Sequence, residues 1–121
     1  MIVLVTGGRN YDDWRKVSDR LAPFGVGDIL VVGGADGADE RARQAWHYRN
    51  QLPYVVHPAP WDRTGKAAGM MRNMAMGKGL TLSPYASLEP DLVIAFPGGR
   101  GTANMVRIAE EQGIEVDRVG W

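Results

Sequence analysis

The feature that most constrains this 121-residue chain is an alternation of short apolar runs with stretches of helical spacing. Residues 2–5, 28–32, 54–57 and 91–96 read as strands, and 115–119 as a last one. A continuous apolar run such as Ile2-Val3-Leu4-Val5 fits a strand buried on both faces, which places the start of the chain in mid-sheet. Between the strands, Trp14, Val17 and Leu21 recur at helical spacing. A second helix is predicted over 38–50, a third on the stripe Ala67, Met70, Met71 and Met74, and a fourth over 102–112, stopped by Gly113. Strand and helix in strict alternation imply one α/β domain, 1–121, with a doubly wound parallel sheet of about five strands.

Composition removes several functional classes. Lysine plus arginine equals aspartate plus glutamate at 14 each, so the basic surplus of a nucleic-acid binder is absent. There is no cysteine, which excludes disulfides and thiolate chemistry. No apolar run approaches the ~18 residues of a membrane helix, so a cytoplasmic protein without a membrane partner is expected. His47 reads as structural, and His57 has no second histidine at ligand spacing, so no metal site is expected.

The chemistry is expected at one edge of the sheet. Pro97-Gly98-Gly99-Arg100-Gly101-Thr102 follows a strand and opens a helix, which reads as a phosphate cradle: glycine lets the backbone approach a ligand, and the helix offers unpaired N–H groups and a positive dipole end. Thr102 reads as the helix N-cap. Gly7, Gly8 and Arg9 leave the first strand, and Gly33, Gly34 and Asp36 leave the second. In an open α/β sheet all three loops face the crevice outside the carboxyl ends of the strands. Neither GxGxxG nor GxxxxGK[ST] occurs, so neither a standard dinucleotide fingerprint nor a Walker loop is present.

These residues resemble a known group. PGGRGT, GGADGAD, an initial VTGGR and AAGMMRNMAM together resemble the YspA/YpsA-related branch of the SLOG superfamily, which includes the LOG phosphoribohydrolases. The resemblance covers almost the entire chain. It implies a Rossmann-like sheet ordered 3-2-1-4-5 that binds a nucleotide or nucleotide derivative, with no other cofactor required. LOG enzymes share PGGxGTxxE and an arginine on the preceding helix; Arg72 is similar to that arginine, but Met105 stands where the motif has glutamate.

A methionine cannot transfer a proton, so a ligand-binding or sensing module is the leading expectation, and an N-glycosidic phosphoribohydrolase the alternative. The catalytic candidates are Arg72 and Asp36, with Asp39 a further carboxylate on the second loop; the simpler reading of Asp36 is a helix N-cap. Counted from Ala67 at 100° per residue, Arg72 lies near 140°, off the methionine stripe. Gly69 and Met76, at about 200° and 180°, lie opposite that stripe, so the helix needs apolar cover on two sides and a homodimer is expected. Lys66 and Trp61 are secondary candidates for phosphate contact and base stacking.

Overall fold

A computed structural model describes residues 1–57, 68–77 and 89–121, with backbone alone for 68–71. The chain runs β1 (Ile2–Thr6), α1 (Trp14–Leu21), β2 (Ile29–Val32), α2 (Ala38–Gln44), β3 (Tyr54–Val56), α3 (Ala68–Gly77), β4 (Leu92–Ala95), α4 (Arg100–Glu111) and β5 (Glu115–Arg118). A π-helical turn at Ala45–Asn50 continues α2 to the expected end of that helix. All strands pair in parallel, in the order β3-β2-β1-β4-β5, as the resemblance implied.

Strand alternation sorts the core into two layers. Val3, Val5, Leu30, Val32, Leu92 and Ile94 face one way, against Val17 and Leu21 of α1 and Ala38 and Ala42 of α2. Leu4, Val31 and Val93 face the other way, against Met76 of α3 and Met105, Ile108 and Ala109 of α4. The apolar runs needed no polar alternation because both faces are covered. The order reverses at β1: the sheet grows outward through β2 on one side and β4 on the other. The crevice between the carboxyl ends of β1 and β4 is therefore the topological switch point, where such sheets bind ligands.

The orientation of α3 departs from expectation. Met74 is 47% exposed, whereas Met76 is 3% exposed and packs in the second core layer. Of the predicted stripe Met74 alone is described, and it faces out, while the buried face carries Asn73, Met76 and Gly77; Ala67 and the side chains of Met70 and Met71 lie outside the described residues. Two details make this possible. Gly77 brings α3 so close to α4 that a Cβ there would meet Ile108 Cγ2 at 2.6 Å. Asn73, buried beside Met76, is hydrogen-bonded to Gly101 and Asn104 of α4, so a polar side chain sits inside without an unpaired amide. Met76 finds its apolar cover within the chain, on α4 and the sheet, while Met74 on the other side of the helix is exposed.

Candidate functional site

The N-terminus of α4 begins earlier than the sequence suggests. Gly99 is the N-cap, and Ala103 N–H already donates to its carbonyl at 3.1 Å. Thr102 is therefore a buried residue of the first turn and not the cap. No side chain caps this helix, so the N–H groups of its first turn remain open to an acceptor. The second helix corrects a further expectation: Gly37, not Asp36, is the N-cap of α2, and Asp36 is exposed. Gly37 has φ +76°, and a Cβ there would run into the Gly8 and Arg9 carbonyls. Ala38 N–H, which an Asp36 cap would have taken up, donates instead to the Gly8 carbonyl at 3.1 Å.

Loop contact of this closeness builds a pocket at the switch point. Gly8 N–H donates to the Pro97 carbonyl at 2.8 Å, and a Cβ on Gly8 would meet that oxygen at 2.8 Å. The β1 and β4 loops are thereby locked together, and between them and α3 opens a cavity of about 210 Å³. Its walls include Gly7, Gly8, Arg9, Arg72, Gly99, Gly101 and Thr102, all expected from the sequence. Gly33, Gly34, Pro97, Gly98, Arg100 and Asp36 are not in its walls. Gly33 and Pro97 serve one step back, accepting hydrogen bonds from Arg72 and Gly8 respectively, while Arg100 is exposed. Trp61 and Lys66 lie outside the described residues. Among the described residues no group of histidine, cysteine and carboxylate side chains could hold a metal, and no helix is long and apolar enough to cross a membrane.

The electrostatics centre on Arg72 and Asp39. Arg72 Nη1 donates to the Gly33 carbonyl at 2.5 Å and Nε to Asn73 Oδ1 at 3.1 Å, which fixes the guanidinium at the pocket wall. Burial lowers its pKa; Asp39 opposes that shift and Arg9 adds to it. Asp39 Oδ2 accepts the N–H groups of Gly33 at 3.2 Å and Ala35 at 3.3 Å. Burial pushes the Asp39 carboxyl up to about 6, against the lowering influence of Arg72 and these two N–H donors. The pocket carboxylate is thus Asp39, and Asp36 is corrected as a catalytic candidate because its side chain is outside.

Asp39, Asn73, Thr6 and Ala35 complete the walls; Asp39 was expected only as a further catalytic carboxylate, and the other three were not expected. Asp39 did carry a signal: it stands at the second position of a helix that follows a glycine loop, where a carboxylate can fold back onto loop N–H groups. Met105, where the LOG motif has glutamate, is fully buried among Leu4, Val31 and Val93 and belongs to the core.

No family model matches the chain, and no solved structure matches it. The Gene 61 protein of Mycobacterium phage D29 is 36% identical over 130 aligned positions, which cover 98% of this chain and 95% of the phage protein. With that identity along nearly the whole of both chains, this protein belongs to the family of the phage Gene 61 protein.

Proposed function

We propose that this protein is a SLOG-type module that binds a nucleotide or nucleotide-derived small molecule at the switch-point pocket, with a phosphate at the first turn of α4. The observation that carries this reading is the pair Gly99 and Gly101. Both line the pocket, neither has positive φ, and a Cβ on either would stand in open space. Glycine is common at an N-cap such as Gly99, but within a helix, where Gly101 stands, it costs about 0.5–1 kcal/mol relative to alanine. Close approach of a ligand to the backbone accounts for Gly101, and the space beside Gly99 leaves the same approach open. The open N–H groups and dipole of α4 supply the anion site, and Arg9 and Arg72 supply positive charge. A cavity of about 210 Å³ is smaller than the ~300 Å³ at which small-molecule sites begin, and suits the sugar-phosphate end of a nucleotide.

Calorimetry with a panel of nucleoside monophosphates tests the reading. Gly99→Asp has room for its side chain at φ −94°, so the fold survives while a negative charge enters the cradle. Wild type is expected to bind at least one nucleotide, and the variant to lose that binding by tenfold or more, or about 1.4 kcal/mol. Equal binding by the folded variant places the site elsewhere.

Asp39 favours a second reading, N-glycosidic hydrolysis, because it puts a carboxylate with a pKa raised to about 6 in the pocket. Met105 in the core argues for binding without turnover. Chromatographic detection of free base released from purine monophosphates, at ~1 per second or faster, decides for hydrolysis.

A further inference from the structure

Asp39 has more hydrogen-bonding capacity than the loop it supports consumes. Its side chain is 5% exposed, and Oδ2 takes both loop N–H donors. Oδ1 accepts no hydrogen bond among the described residues, yet it is not sealed away from the cavity that Asp39 lines. On the same cavity wall, Arg72 spends Nε on Asn73 and Nη1 on Gly33, leaving Nη2 without a partner among the described residues. One wall of the pocket therefore offers a carboxylate acceptor and a guanidinium donor from groups that already offset each other's charge. A hydroxyl group matches that pair, since it donates through O–H and accepts through its lone pairs, and it brings no net charge. A second phosphate would face the carboxylate, and an ammonium group would face the guanidinium.

We propose that Asp39 Oδ1 accepts a hydrogen bond from a ribose hydroxyl of the bound nucleotide, so that the site selects for the sugar diol. This rests on the nucleotide reading above. The phosphate lies at the first turn of α4, the sugar diol lies against Asp39 and Arg72, and the base points out of the small cavity. Near pH 7.5, above the raised pKa of about 6, Asp39 is ionised and acts only as an acceptor. Removing the hydroxyls leaves a buried charged oxygen unpaired, which is where discrimination is large.

The test is calorimetry on the full chain with adenosine, guanosine, cytidine and uridine 5′-monophosphates, their 2′,3′-dideoxy counterparts and inorganic phosphate. The best-bound ribonucleotide is expected to bind at least about tenfold more tightly than its dideoxy form, as a hydrogen bond to a charged group implies. In Asp39→Asn the amide oxygen can still hold the Gly33 and Ala35 N–H groups, so the loop is kept. That variant is expected to reduce the ratio below about twofold, with a smaller change in phosphate affinity. Wild type that binds both sugars within twofold overturns the inference and leaves the nucleotide reading intact, as does a tenfold preference that persists in folded Asp39→Asn. If none of the nucleotides binds, the nucleotide reading fails and takes the inference with it.

Discussion

Arg72 Nη1 donates to the carbonyl oxygen of Gly33 at 2.5 Å, joining α3 to the loop after β2 across 39 residues of sequence. The guanidinium lies so close over that loop that a Cβ on Gly33 would stand 2.6 Å from Nη1 and 2.7 Å from Cζ. Gly33 has no positive φ, so alanine suits its backbone and the clash falls on the mobile end of the arginine. Gly33→Ala is therefore expected to fold with a stability change under about 1 kcal/mol while Arg72 is driven out of place. Nucleotide affinity should fall about tenfold, measured by calorimetry beside urea denaturation of the same variant. Unchanged affinity would show that the position of Arg72 does not matter for the ligand.

Asp39 sets a pH dependence whose sign is opposite to that of most carboxylates. Its folded pKa, near 6, exceeds its ordinary value of 3.8, so the folded state holds the proton more tightly than the unfolded chain does. The resulting stabilisation is complete below pH ~4 and is lost as pH rises through ~6, by roughly 3 kcal/mol for a shift of about two units. Asp28 and Glu40, both lowered, contribute in the other direction, so wild type must be compared with Asp39→Asn. Urea denaturation from pH 4 to pH 7.5 should show wild type losing stability relative to the variant across that window. A constant difference would mean that Asp39 is not strained by burial.

Met74 and Met76, two residues apart on α3, are expected to respond in opposite ways to a charge. Met76→Glu inserts a carboxylate beside Met105 and Ile108 and should destabilise by more than about 3 kcal/mol. Met74→Glu lies on the exposed side and should change stability by less than about 0.5 kcal/mol. Denaturant melts with light scattering separate the cases. A folded, monomeric Met76→Glu derived from a dimeric wild type would mean that Met76 sits in a subunit contact and not in the core.

The centre of the sheet was legible in the sequence because β1, β2 and β4 are continuous apolar runs buried on both faces, a pattern that depends little on context, whereas the edge strand β5 is mostly polar and part-exposed. The glycine loops were legible for the same reason: they follow strands directly and so lie at the carboxyl edge. The burial of Met76 in place of Met74 was not, because hydrophobicity alone does not favour a face containing Asn73, whose amide is accommodated through bonds to Gly101 and Asn104 on a distant helix. The caps at Gly37 and Gly99 were misplaced onto Asp36 and Thr102 because capping preferences describe isolated helices. Here the Gly8 carbonyl occupies the place a side chain would take at α2. Asp39 carried only half its meaning locally, since its burial depends on the three loops meeting.

Ligand phosphate at the first turn of α4 should mark the backbone amides of that turn, and nitrogen-15 chemical-shift mapping with the best-binding nucleoside monophosphate reads them residue by residue. The largest amide shifts are expected on Gly99, Arg100, Gly101 and Thr102, with Gly8 and Arg9 next, and inorganic phosphate is expected to reproduce the α4 shifts. Shifts centred instead on the separate cavity beside Trp14, Gln44 and Tyr48, with α4 unmoved, would contradict that placement.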